Sequence, residues 1–89
     1  MDMFQALRAF REVAHQGGFA AAARALKVST PTVSRLISEL EGDLGVRLFS
    51  RSTRKTGLTE EGEQFLRRGV ALLDELEAVI EEVRERQSV

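Results

Sequence analysis

The 89-residue chain is long enough for one small domain with a modest core, since hydrophobic residues make up 43% of it. It contains no cysteine, which excludes disulfide bonds and thiolate metal sites, and no apolar run approaches the length of a membrane span. Residues 1–56 carry nine basic and five acidic side chains, whereas residues 57–89 carry four and nine. The net charge of −1 therefore hides a basic first part, which suits a face presented to phosphate groups.

An amphipathic first helix is predicted over residues 2–15, with Asp2 favouring its N-terminus and Gly17 and Gly18 ending it. Its apolar residues recur at alternating three- and four-residue steps, as in a helix with one face turned inward. They are Met3, Leu7, Phe10 and Ala14, with Phe4 and Val13 beside them. His15 lies near the end of this helix without a cysteine or carboxylate cluster, so no metal or catalytic role is assigned to it.

Residues 19–38 predict two short helices joined by a tight turn. The first ends near Leu26, the turn falls at residues 27–29, and the second begins near Thr30 and ends before Gly45. Lys27 is assigned to the turn position that needs a positive φ, although glycine or asparagine is commoner there. Small residues allow the helices to approach, and larger ones are expected to fill the wedge between them: Ala22, Ala23, Leu26, Val28, Val33 and Leu36. This pattern is typical of a helix-turn-helix, whose second helix lies in the DNA major groove; a plain helical hairpin is the alternative.

The second of these helices has two chemically different faces. Ser29 or Thr30 can cap it, and Pro31 is tolerated in its first turn. The buried side is predicted to contain Val33, Leu36, Ile37 and Leu40, and the other side Thr30, Thr32, Ser34, Arg35, Ser38 and Glu39. Short hydroxyl side chains with one arginine can approach base edges and phosphates closely, although an ordinary solvated helix face has a similar composition.

A short hairpin is predicted over residues 46–58. Leu48 and Phe49 are expected to enter it as a strand, and Leu58 to return to the core. Its expected tip comprises Arg51, Ser52, Thr53, Arg54 and Lys55. Three cations within five residues suit a wing that contacts the DNA backbone or minor groove, while a solvated basic loop is the alternative.

A long last helix is predicted from about Glu60 to near Gln87, capped by Thr59. Two apolar rows run along it: one of Phe65, Gly69, Leu72, Leu76, Val79 and Val83, and one of Leu66, Leu73 and Ile80. So small a domain can bury one row but hardly both, which predicts a coiled-coil-like dimer seam formed by Phe65, Leu72, Leu76, Val79 and Val83. A helix packed wholly on its own domain is the alternative.

The order of these elements is that of a mainly α winged helix-turn-helix with a small β-hairpin wing and a long C-terminal linker helix. Three stretches carry a more specific likeness: MDMFQALRAFREVAHQGGFAAAARAL, KVSTPTVSRLISELEGDLGVRLFSR and RKTGLTEEGEQFL. They resemble the N-terminal DNA-binding domain of LysR-type bacterial transcriptional regulators over nearly the whole chain. We accordingly expect a DNA-binding domain at residues 1–58 and a dimerisation helix at residues 59–89.

The resemblance implies roles for individual residues. Thr30, Pro31, Ser34 and Arg35 match the major-groove positions of the family, and Arg54 matches the arginine that enters the minor groove. The matches to backbone-contact positions are Ser29, Thr32, Ser38, Arg51, Ser52 and Thr53. The family usually has glutamine where this chain has Thr30, and alanine is commoner than threonine at position 32, so the base preference of the family does not carry over.

The resemblance also implies double-stranded DNA as the partner, a homodimer on an interrupted inverted repeat, a cytoplasmic location, no cofactor and no membrane association. Family members are normally longer, and the effector-binding domain that follows the linker helix is expected to be missing from this chain. Rival interpretations are another winged-helix regulator, such as a molybdate-responsive or MarR-like one, and a helical protein-interaction module. No carboxylate pair, nucleophile–base set or phosphate loop supports an enzyme.

Overall fold

The computed structural model describes residues 2–52 and 55–87, and for Arg51, Ser52, Lys55 and Thr56 it describes the backbone alone. The helices are α1 (Met3–Gln16), α2 (Phe19–Leu26), α3 (Thr30–Leu44), α4 (Glu60–Gln64) and α5 (Val70–Gln87). Strands β1 (Phe49–Ser52) and β2 (Lys55–Leu58) separate α3 from α4, and a π-helical turn (Phe65–Gly69) joins α4 to α5. We call the continuous helical segment 60–87 the linker helix. The predicted order of elements is confirmed.

The first three helices form a bundle whose boundaries follow from local chemistry. The Asp2 carboxylate accepts a hydrogen bond from the Gln5 amide at 3.3 Å and caps α1. Gly17 and Gly45 end α1 and α3 with φ of 82° and 75°, the left-handed conformation that glycine adopts without strain. Both glycines were expected at helix ends, so these boundaries are confirmed.

The core lies where α1, α2 and α3 meet the start of the wing and the linker helix. Phe10 is fully buried at its centre, with ring centroids 5.3 Å from Phe49 and 5.3 Å from Phe65. Phe19 packs against Phe49 at 5.8 Å, as an anchor from α2. Aromatic residues from four separate segments thus join the bundle, the wing and the linker helix in one core.

Two sequence-based details of the core are wrong. The buried face of α1 is Ala6, Ala9, Phe10 and Val13, while Met3 and Phe4 are exposed. The two alanines allow α1 to lie close to its neighbours, which turns the larger side chains of its first turn toward the edge of the core. Val28, expected between the helices, is also exposed, because the chain reverses direction at Lys27.

The wing is a two-stranded antiparallel hairpin. Phe49 pairs with Leu58 at its base, and Ser52 pairs with Lys55 at the last described pair. Leu58 packs against the core as predicted. Arg51, Ser52 and Lys55 lie within the strands rather than at the tip, so the ladder is longer than the sequence indicated.

Candidate nucleic-acid interface

The turn between α2 and α3 is built around Lys27, which has φ 59° and ψ 42°. Its amide donates to the Arg24 carbonyl at 3.2 Å, and the Val28 amide donates to the Ala23 carbonyl at 3.0 Å. These two bonds form a Schellman motif and satisfy the last carbonyls of α2. The positive φ assigned to Lys27 from the sequence is confirmed, and three residues separate the end of α2 from the start of α3.

The N-terminus of α3 is held by Ser29. Its hydroxyl accepts a hydrogen bond from the Thr32 amide at 3.2 Å and lies 2.7 Å from the Thr32 hydroxyl. Pro31 occupies the first turn, where its missing N–H removes no helical hydrogen bond. Ser29 and Thr32 therefore shape the start of α3, while Thr30 and Pro31 are exposed on it.

The rest of α3 separates into an inner and an outer face. Val33, Ile37 and Leu40 are fully buried. The predicted contact residues all reach the surface to some degree. The exposed ones are Ser29, Thr30, Pro31, Arg35 and Ser38, and the partly exposed ones are Thr32 and Ser34. The structure thus brings every predicted contact residue between positions 29 and 38 to the surface of one helix.

Arg35 is the cation of this outer face. Its guanidinium lies 3.3 Å from the Glu39 carboxylate one turn along α3, and its side chain is 58% exposed. An ion pair this exposed contributes about 0.3–0.5 kcal/mol. Arg35 can therefore exchange Glu39 for another acceptor with little loss of stability.

The wing residues can be compared with prediction only in part. The backbones of Arg51 and Ser52 lie in β1, two and three residues beyond the buried Phe49. Thr53 and Arg54 lie outside the described residues, so the assigned role of Arg54 stays a prediction.

Glu41 is a buried carboxylate on α3 that the sequence analysis did not select. One carboxylate oxygen accepts hydrogen bonds from the amides of Leu48 at 2.8 Å and Phe49 at 3.2 Å, and lies 3.7 Å from the Arg47 guanidinium. The helical periodicity did indicate its burial, because Glu41 lies four residues after Ile37 and eight after Val33 and so falls on the buried face of α3.

Thr59 and Gly62 attach the linker helix to the same segment. The Thr59 hydroxyl accepts from the Gly62 amide at 2.9 Å and donates to the Arg47 carbonyl at 2.6 Å, while its amide donates to the Leu48 carbonyl at 3.0 Å. A Cβ at Gly62 would lie 2.0 Å from that Leu48 oxygen. The threonine cap was predicted and is confirmed; the contact that requires glycine was not predicted.

The linker helix presents its two apolar rows differently. Leu73 is 3% exposed, while its neighbour Leu72 is 71% exposed, and Leu76, Val79 and Val83 are also exposed. Phe65 packs partly against the core, next to Phe10. The row of Leu66 and Leu73 therefore faces the domain, and the predicted dimer row faces outward from Leu72 onward.

Ion pairs fix α5 against α1. Arg11 contacts Asp74 at 2.7 Å and Glu77 at 2.6 Å, and Arg8 contacts Glu77 at 2.8 Å. The hydrogen bond from Arg11, followed by that from Arg8, lowers the pKa of the Glu77 carboxyl below its usual value. The hydrogen bond to Glu77 in turn raises the pKa of Arg11. The direction of the linker helix is thus set by charge pairing as well as by Leu73.

Other classes of site find no support in the part of the chain that the structure describes. No three histidine, aspartate or glutamate side chains within residues 2–52 and 55–87 are grouped so that they could hold a metal ion. Across those same ranges, no helix combines the length and the apolar composition that a bilayer crossing requires.

The chain is similar to known regulatory proteins over most of its length. A sequence model described as "Bacterial regulatory helix-turn-helix protein, lysR family" matches residues 4–63. The HTH-type transcriptional regulator CrgA of Neisseria meningitidis is 43% identical over 72 residues, which are 81% of this chain and 24% of that protein. The chain thus spans about a quarter of the length of that relative.

Two solved structures are similar over nearly their whole length. The complex of BenM_DBD with catB site 1 DNA has a TM-score of 0.87 and 30% identity, covering 100% of this chain and 99% of that one. The CbnR_DBD–DNA complex has a TM-score of 0.84 and 38% identity, covering 98% and 99%. The fold is therefore the winged helix-turn-helix of these domains, in a family of transcriptional regulators rather than enzymes. The chain belongs to the LysR family of bacterial helix-turn-helix regulatory proteins.

Proposed function

We propose that this domain binds double-stranded DNA sequence-specifically, with α3 in the major groove and the β1–β2 wing in the adjacent minor groove. The observation that carries the proposal is the outer face of α3, where small hydroxyl side chains and Arg35 are exposed beside a firmly buried inner face. Such a helix can enter the major groove without a bulky side chain holding it away from the bases. The two similar structures are complexes of related domains with DNA, which supports DNA as the partner.

Within this mode, base contacts are assigned to Thr30, Pro31, Ser34 and Arg35. Thr30 offers one hydroxyl with a short reach, so we expect it to select a base through a close contact rather than through a bidentate pair. Arg54 is assigned to the minor groove, and the remaining residues are assigned to the DNA backbone: Ser29, Thr32, Ser38, Arg51, Ser52 and Thr53. Backbone contacts fix the position of α3 and make affinity depend on salt.

The same proposal includes a homodimer. Leu72, Leu76, Val79 and Val83 expose a row of large apolar side chains along one face of the linker helix, and a second copy of that helix would remove them from water. Two identical subunits related by a two-fold axis fit two half-sites in an interrupted inverted repeat. The linker helix (59–89 in the sequence-based division) then acts as the dimerisation unit of the DNA-binding domain at 1–58.

A selection of bound sites from random DNA with the purified chain tests the DNA-binding part. We expect a pair of related half-sites with a fixed spacing, and an affinity that falls steeply as salt rises. Arg35→Ala should weaken binding to the selected site by about 1–3 kcal/mol and relax the preference at one base pair, and Arg54→Ala should weaken binding to A·T-rich flanks by a similar amount. A helical protein-interaction module, the main rival, predicts neither a selected sequence nor a salt-dependent affinity.

Sedimentation of two matched variants tests the dimer. Leu76→Glu puts a charge in the exposed apolar row and should yield monomers. Ala78→Glu adds the same charge on another exposed face of α5 and should leave the dimer intact. A dimer that survives Leu76→Glu would reject the seam but not the DNA-binding surface of α3.

The remaining assignments follow the family. We expect this domain to act in the cytoplasm, where bacterial DNA is found, and to function together with an effector-binding domain that is not part of these 89 residues.

A further inference from the structure

The segment between α3 and the wing is held from two sides. On one side, the Glu41 carboxylate of α3 accepts the amides of Leu48 and Phe49 at 2.8 and 3.2 Å. On the other, Thr59 donates its hydroxyl to the Arg47 carbonyl at 2.6 Å and its amide to the Leu48 carbonyl at 3.0 Å. Both amides and both carbonyls lie at the point where β1 begins.

These hydrogen bonds lie in a part of the molecule that is shielded from solvent. Glu41 is 7% exposed, and Leu48 and Phe49 are 1% and 2% exposed. Hydrogen bonds from amides to an ionised carboxylate are roughly twice as strong as bonds between neutral groups. A buried amide that loses its acceptor is left with its full desolvation cost. The entry to the wing therefore has one strongly favoured position relative to α3.

We propose that Glu41 is a positioning residue that fixes the wing relative to α3, so that both elements reach DNA at the same time. The proposal rests on the proposed function, because it concerns how the two DNA-contacting elements are held together. Glu41 itself does not contact DNA, since its carboxylate points inward to the amides of Leu48 and Phe49. Its negative charge would by itself oppose DNA binding, so any loss of affinity on its removal reflects position and not charge.

Two variants separate position from charge. Glu41→Gln removes the charge but keeps one acceptor oxygen, and Glu41→Met removes both acceptors at a similar side-chain length. Asp43→Asn is the matched control, because it removes one negative charge from an exposed site on the same helix. If charge alone mattered, Glu41→Gln and Asp43→Asn would both bind DNA at least as tightly as the wild type.

The first measurement is the affinity of each variant, by gel-shift titration at fixed salt, for a selected site and for the same site with its A·T flanks replaced by G·C. We expect Glu41→Met to reduce the flank preference about tenfold, the equivalent of ~1.4 kcal/mol, while its preference for the half-site core persists. Glu41→Gln should fall between Glu41→Met and the wild type, and Asp43→Asn should keep the wild-type flank preference. If Glu41→Met does not fold, Glu41→Gln carries the comparison with Asp43→Asn.

The second measurement is hydrogen exchange at the Leu48 and Phe49 amides in free protein. Loss of protection in Glu41→Met, with protection retained in α1, supports the positioning role. Wild-type protection at both amides, or an unchanged flank preference in both Glu41 variants, overturns it. A wild-type chain with no flank preference would instead refute the minor-groove contact in the proposed function, and the exchange measurement would still decide whether Glu41 holds the wing.

Discussion

Replacing Gly62 with alanine tests how the linker helix is attached to the wing. An ideal Cβ at this position lies 2.0 Å from the Leu48 carbonyl oxygen and 3.1 Å from a Leu58 methyl group. A carbon–oxygen contact normally needs about 3.3 Å, so the backbones must separate by roughly 1.3 Å. The obstacle is main chain rather than the end of a flexible side chain. Moving it also strains the 3.0 Å hydrogen bond from the Thr59 amide to the same oxygen.

The magnitude follows from three effects. Overpacking of this kind costs about 1–3 kcal/mol, and loss of the Thr59 hydrogen bond adds about 0.5–1.5 kcal/mol. Alanine offsets about 1 kcal/mol of this through its higher helix propensity. We expect Gly62→Ala to lower the free energy of unfolding by about 0.5–3.5 kcal/mol, with Tm falling by about 4–8 °C per kcal/mol for a domain of this size.

Gly42→Ala is the matched control for urea or thermal unfolding at one protein concentration. Gly42 also lies within a helix, but nothing approaches within 4 Å of its hypothetical Cβ, so the propensity effect should act alone and stabilise the domain. The two glycine substitutions should therefore change stability in opposite directions. If Gly62→Ala is as stable as Gly42→Ala, the close contact between α4 and Leu48 does not exist in solution.

Three further predictions concern other contacts of the fold. Lys27→Gly should raise the free energy of unfolding by about 0.5–1 kcal/mol in a urea titration, because the ~1–2 kcal/mol relieved at a left-handed non-glycine residue exceeds the ~0.5–1 kcal/mol of conformational freedom that glycine loses on folding. A destabilised variant would refute strain at this turn. Glu77→Gln should lower stability by on the order of 1 kcal/mol at neutral pH. Since folding lowers the pKa of Glu77, the stability that its ion pairs contribute is present above the unfolded pKa of about 4.3 and is lost as the pH falls through the folded value. In unfolding titrations from pH 7 to 3, the stability of Glu77→Gln should therefore depend less on pH than that of the wild type. An equal pH dependence in both proteins would contradict the pairing. Leu73→Ala should lower the free energy of unfolding by about 2–5 kcal/mol in a urea titration, whereas Leu72→Ala should leave the stability of the monomer unchanged. Equal losses of stability would mean that both apolar rows are buried within one chain.

The sequence predicted the helical boundaries well because each is encoded by a local signal. Ser29 and Thr59 cap helices through their own hydroxyls, and Gly17 and Gly45 adopt positive φ where helices end. The position of Lys27 in the turn followed from the motif, despite its unfavourable residue type. Such features involve residues a few positions apart and do not depend on the rest of the fold.

Long-range contacts were harder to predict. Both rows repeat every seven residues, so periodicity does not rank them, and only docking against the domain decides that Leu73 is buried while Leu72 is exposed. Met3 and Phe4 were expected inside because they lie on or beside the periodic apolar row, yet Ala6 and Ala9 are the fully buried residues of α1 and Met3 and Phe4 are exposed. The ion pairs of Arg8 and Arg11 with Glu77 join residues more than sixty positions apart, which periodicity cannot reveal.

The candidate interface was predicted better than the contacts that support it. The exposure of Thr30, Pro31 and Arg35 follows directly from helical phase once Val33 and Ile37 are assigned to the core. Glu41 was overlooked because a glutamate on a helix is usually solvent-exposed, whereas here it satisfies two amides from a different element. Residue type alone does not distinguish these cases, although its position on the apolar face does.

Two residues near the ends of α3 break local rules. Lys27, just before it, takes a left-handed conformation that costs a non-glycine residue about 1–2 kcal/mol. Glu41, near its end, is a carboxylate with little access to water. Lys27 is compensated locally, by the Schellman bonds that close α2, whereas Glu41 is compensated by the amides that begin β1. The turn at Lys27 therefore orients α3 relative to α2, and Glu41 ties α3 to the start of β1, as the proposed docking of α3 and the wing on DNA requires.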